Sequence, residues 1–154
     1  ADVLSVIEEL QPTCVVLAGC SAGAHLAAMC ARDERIATVI SGCALLSGVY
    51  DVRPLVRTPT NDPLFLSAES AALVSPQLLP PVFMPVALLA VGKHESFEFI
   101  RQNAEYAELL ASTGADVQVE VVEHCDHFNL PYDLLREDTK VGQWVLGSLG
   151  KVSV

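Results

Sequence analysis

Ser21 stands at the centre of Gly19-Cys20-Ser21-Ala22-Gly23, between the apolar run 14–18 and the helix-like stretch 24–31. A strand, a sharp turn and a helix with serine at the apex is the arrangement that presents a hydroxyl as a nucleophile. The glycines leave room for the close strand and helix, and the Ala22 amide, at a helix N-terminus, can donate to an oxyanion. A serine hydroxyl is a poor nucleophile at neutral pH without a base, so an acid and a histidine should follow at later strand ends. Glu95 lies in the polar turn Gly92-Lys93-His94-Glu95-Ser96 after the apolar run 85–91. His127 lies in Glu123-His124-Cys125-Asp126-His127-Phe128 after the alternating run 117–122. Ser21, Glu95 and His127 therefore read as nucleophile, orienting acid and general base. Glu98 competes for the acid role but falls about one helical turn further on. His124 and His127, with His94 and Glu95, could instead ligate a metal. That reading leaves the serine turn unexplained and places an H-x-x-H pair after a strand rather than on a helix, so no metal and no cofactor is assigned. His25, on the helix after Ser21, reads as a packed, hydrogen-bonded residue.

The elements that must position these groups follow from periodicity. Helix is expected over about 2–11, strand over 13–18, helix over 22–32 and strand over 37–46. An irregular segment then runs to about 84, followed by strand 85–91, helix 97–113 closed by Gly114, strand 117–122 and a last helix. Continuous apolar strands alternating with helices indicate one α/β domain over 1–154, a parallel sheet with helices on both faces. Pro54, Pro59, Pro63, Pro76, Pro80 and Pro81 exclude a long helix from the irregular segment, although 68–74 suits a short one. Lying after a strand, the insertion 51–84 is expected to line or cover the pocket.

Nine basic against 19 acidic residues give a net charge of -10, and Lys and Arg do not cluster, which argues against nucleic acid or an anionic membrane as partner. No apolar stretch is long enough to span a bilayer. Five scattered cysteines without a C-x-x-C pair point to a reducing, cytoplasmic compartment, and Cys20 and Cys125 read as small packing residues near the site.

Four blocks carry a more specific resemblance: G-C-S-A-G-A-H-L-A-A at 19–28, S-G-V-Y-D-V-R-P-L at 47–55, V-G-K-H-E-S-F-E-F at 91–99 with Arg101-Gln102, and D-H-F at 126–128. With these the chain resembles the kynurenine formamidases (arylformamidases), α/β-hydrolases related to the hormone-sensitive-lipase-like esterases. The resemblance implies an α/β-hydrolase fold and hydrolysis of the formyl amide of N-formyl-L-kynurenine to kynurenine and formate through an acyl-enzyme. Two further classes stand beside it: a broader carboxylesterase, and a catalytically incomplete half-domain. A planar aromatic substrate suits aromatic walls, for which Tyr50, Phe97 and Phe128 are the candidates. Cys20 departs from the histidine usual before the nucleophile in this branch. The family's amino-terminal strands and its His-Gly-Gly loop have no counterpart in these residues. The expectation is that 13–18 forms an open sheet edge through which the chain associates, and that these 154 residues alone have weak activity or none.

Overall fold

The computed structural model describes residues 3–82, 84 and 86–150. Four parallel strands, β1 (Val15–Cys20), β2 (Ile40–Leu46), β3 (Val86–Gly92) and β4 (Asp116–Val122), lie in the order β1-β2-β3-β4. Helices α1 (Val3–Leu10), α2 (Ala22–Cys30), α3 (Ala68–Leu73), α4 (Phe97–Ala111) and α5 (Lys140–Gly150) surround them. None of the described helices is long and apolar enough to cross a membrane.

Ser41 apart, the central strands are built of apolar residues and glycine because both their faces are covered. Cys43, Leu45, Ala87 and Leu89 face a cluster with Ala24, Ala28, Tyr106 and Leu110, against which α1 packs Val3, Leu4 and Ile7. Ala44, Leu46, Leu88 and Ala90 face the opposite cluster, with Leu130 and Val141. Among the described residues β4 pairs with β3 alone, and exposed and half-buried residues mix along it, as its alternating sequence anticipates for an edge. Among the same residues β1 is the other edge.

Two strands differ from the sequence reading by two residues or more at an end. β1 runs over Val15–Cys20 rather than 13–18, because Gly19 and Cys20 still pair with Leu45 and Leu46, and the strand delivers Ser21 directly. β2 starts at Ile40 because 34–39 is folded into turns, with the Val39 and Ile40 amides donating to the Ile36 carbonyl. Asp2 and Pro85, expected within α1 and β3, lie outside the described residues. Between β2 and β3 the chain makes 3-10 turns at Arg53–Arg57 and Pro59–Asn61 and then α3, whose start is fixed by reciprocal bonds between Ser67 and Ser70.

The ladder continues one residue beyond β1, β2 and β3. The Ser21 amide donates to the Leu46 carbonyl at 2.9 Å, that of Ser47 to Ala90 at 2.8 Å, and that of Lys93 to Val122 at 3.0 Å. Four consecutive carboxyl ends are thereby brought level, and the polar residues of the chain's chemistry lie on that edge.

Candidate active site

Ser21 occupies the turn between β1 and α2 with φ 55° and ψ −119°, a left-handed backbone costly for a residue with a Cβ. Gly19 makes the turn feasible: a Cβ there would lie 2.3 Å from the Gly23 carbonyl carbon. The same construction at Gly23 meets nothing, so of the two glycines it is Gly19 whose missing side chain the packing requires. The Ala22 amide is the first of α2, at the positive end of the helix dipole.

The structure joins Ser21, His127 and Glu95 in one hydrogen-bonded run. Ser21 Oγ lies 3.0 Å from His127 Nε2, and Glu95 Oε2 lies 2.8 Å from His127 Nδ1. A carboxylate can only accept, so Nδ1 carries the proton and Nε2 is left to accept from the serine. The Glu95 side chain is fully buried and its second oxygen is also occupied, by the Gly92 amide at 2.9 Å and the Ser47 hydroxyl. Gly92 permits the β3 and β4 loops to meet, since a Cβ there would fall 2.5 Å from the Cys125 carbonyl oxygen.

The competing carboxylates are engaged elsewhere. Glu98 binds Arg101 and Gln102, and the Arg101 guanidinium holds its carboxyl below the usual range. Asp126 accepts from the amides of Phe128 and Asn129, while Asn129 accepts from that of Asp126, which locks the loop carrying His127. Among the described residues no three His, Cys, Asp or Glu side chains gather as a metal cage. His25 Nε2 donates to the Val74 carbonyl at 2.7 Å, tying α2 to the end of α3. Burial, and secondarily the charge of Glu95, pushes the Cys20 thiol up to about 11, which keeps it protonated beside the serine.

The aromatic assignments change. Tyr50 is wholly buried and stacks on Tyr106 with ring centroids 4.2 Å apart, in the core rather than at the cleft. Burial raises the pKa of its hydroxyl well above the ordinary value. Phe97 is 77% exposed at the first position of α4 and does not line the cleft. Two helical residues further, about 200° around the axis, Phe99 does so instead, its ring centroid 4.4 Å from that of His127. Only that turn distinguishes Phe99 from Phe97 in the sequence, once α4 is known to start at Phe97. Phe128 does lie at the cleft, edge-on to His127 at 5.8 Å.

The cleft, of about 430 Å³, is lined by His94, Glu95, Ser96, Phe99, Asp126, His127 and Phe128. A cavity of about 220 Å³ adjoins it across Ser96 and Phe99, and there Asp51, Pro54, Leu55 and Thr58 of the insertion contribute. A larger hollow, about 760 Å³, is an apolar groove between α1, β1 and α2 whose lining includes none of the three linked residues. Of the three linked residues, Glu95 and His127 line the cleft, and that groove has none of them.

No family model matches the chain. Among curated proteins it is similar to the kynurenine formamidases of Salmo salar, 36% identical over 97% of this chain and 55% of the relative, and Danio rerio, 35% identical with the same coverage. A crystal structure from Silicibacter sp. described as that of a thioesterase superposes with a TM-score of 0.75 at 26% identity, covering 90% of this chain and 52% of the other. The fold is also that of an esterase from Thermogutta terrifontis, with a TM-score of 0.57 at 19% identity over 88% and 52%. The chain thus spans about half the length of the curated relatives it matches. The chain is therefore similar to the kynurenine formamidases over nearly all its residues, and its parallel sheet has the α/β-hydrolase fold.

Proposed function

We propose that the protein is a serine hydrolase that cleaves the formyl amide of N-formyl-L-kynurenine to kynurenine and formate. The observation that carries this is the run Ser21–His127–Glu95 at adjoining strand ends, in a chain similar to the kynurenine formamidases. Ser21 Oγ attacks the formyl carbon as its proton passes to His127 Nε2, and Glu95 keeps the imidazole in the required tautomer and stabilises its cation. The Ala22 amide donates to the oxyanion. Collapse breaks the C–N bond, and His127 returns the proton to the departing arylamine. Water, deprotonated by the same histidine, then releases formate from Ser21. Phe99 and Phe128 offer the aromatic walls for the planar ring, and the insertion 51–84 shapes the neighbouring cavity.

A broader carboxylesterase is the second reading. It is favoured by the burial of Tyr50, which leaves the cleft with fewer aromatic contacts. Turnover of N-formylkynurenine against p-nitrophenyl acetate separates the two: the first reading expects efficient formamide cleavage, and ester cleavage alone supports the second. Scattered cysteines without a C-x-x-C pair support a cytoplasmic setting. The apolar edge at β1 is proposed as a surface for association with a second polypeptide or another copy, and a half-domain reading would make activity depend on that partner.

A further inference from the structure

Ser21, Glu95 and His127 follow β1, β3 and β4, and the carboxyl end of β2 between them is occupied by Ser47. Ser47 is fully buried and held at φ 47°, in the left-handed region. Its amide donates to the Ala90 carbonyl at 2.8 Å, continuing the β2–β3 ladder, and its hydroxyl donates to Glu95 Oε1. Oε1 also accepts from the Gly92 amide, so that oxygen is held by two donors and Oε2 faces His127.

We propose that Ser47 is a positioning residue for Glu95: its hydroxyl fixes the rotation of the buried carboxylate and thereby the orientation and tautomer of His127. This rests on the serine-hydrolase reading above for its effect on rate, though not for its effect on the imidazole. A buried carboxylate that loses a donor is destabilised and free to turn toward another. A left-handed backbone suits glycine, yet a serine stands here. The hydroxyl is what glycine would lack, and it has one side-chain partner, Glu95.

The test compares Ser47→Ala and Ser47→Gly with the parent and with Glu95→Ala. Long-range 1H–15N spectra of the His127 ring report its tautomer without needing substrate. The parent should be in the Nδ1–H form, and both Ser47 variants should shift toward the mixture seen in Glu95→Ala. In turnover, both variants should lose about ten-fold or more in kcat with little change in KM. Adding Ser47→Ala to Glu95→Ala should cost little further, as expected of residues acting through one another. Ser47→Gly is the discriminating variant, because glycine keeps the left-handed turn without strain while the hydroxyl is lost with its Cβ, and Ser47→Ala removes the hydroxyl alone. An Ser47→Gly protein with the parent's tautomer, or effects that multiply with Glu95→Ala, would overturn the proposal. Absence of turnover in the parent would count against the hydrolase reading alone, and the spectra would still decide the role of Ser47.

Discussion

The Phe99 ring lies against that of His127, centroids 4.4 Å apart and planes inclined by 35°. This contact restricts the imidazole on the side not held by Glu95 or Ser21. Phe99→Ala should reduce kcat by roughly ten- to a hundred-fold, the scale of a small misplacement of a reacting group. Phe99→Leu should retain more activity by keeping bulk against the ring. Steady-state kinetics on both variants checks this, and an unchanged kcat in Phe99→Ala would show that the ring is held without it.

Gln102 is expected to matter to stability rather than chemistry. Its buried amide oxygen accepts from the Tyr50 and Asp51 amides at 2.7 and 2.8 Å, and its nitrogen donates to the Asp51 carbonyl and to Glu98. Gln102→Ala should orphan two buried donors and lower unfolding free energy by on the order of 3 kcal/mol, measured by urea denaturation. Gln102→Glu, which keeps the acceptor and adds charge beside Asp51 and Glu98, should be no better.

Much of this site was legible in the sequence because its chemistry lies at strand ends. Apolar runs at 14–18 and 85–91 and the alternating run 117–122 located three strands, and the loops after them gave Ser21, Glu95 and His127. What could not be read is side-chain direction in irregular backbone. Tyr50 lies four residues past β2, where no period says which way it points, and the Gln102 clamp turns it into the core. Phe97 and Phe99 share a helix and differ by its rotation. Ser47 escaped notice because a serine after a strand carries no motif, and its partner is 48 residues away.

Alkaline stability should be governed by buried thiols. Burial raises Cys43 to about 12 and Cys20 to about 11, above the value of about 8.5 that an unfolded thiol has. A pKa raised by folding gives stability that is complete below the unfolded value and lost as pH climbs toward the folded one. Urea midpoints should therefore fall between about pH 8.5 and 11. Cys43→Ala should be less stable at pH 7 but lose less across that interval, and an equal loss in both proteins would contradict the assignment.

β1 is paired on one side alone among the described residues, with Val6 and Leu26 exposed beside it in the apolar groove. The chain in isolation should self-associate at micromolar concentration, and Ala18→Lys or Leu26→Lys should shift sedimentation toward monomer. A parent that sediments as a monomer at all concentrations would count against association through this edge.

The central claim is that His127, oriented by Glu95, activates Ser21 as a nucleophile. A fluorophosphonate that phosphonylates activated serines, followed by peptide mapping, tests it most directly. One adduct on Ser21 is expected, its rate reduced by at least a thousand-fold in His127→Ala, and by a smaller factor in Glu95→Gln. An adduct on another side chain, or labelling of Ser21 at the parent's rate in His127→Ala, would contradict the account.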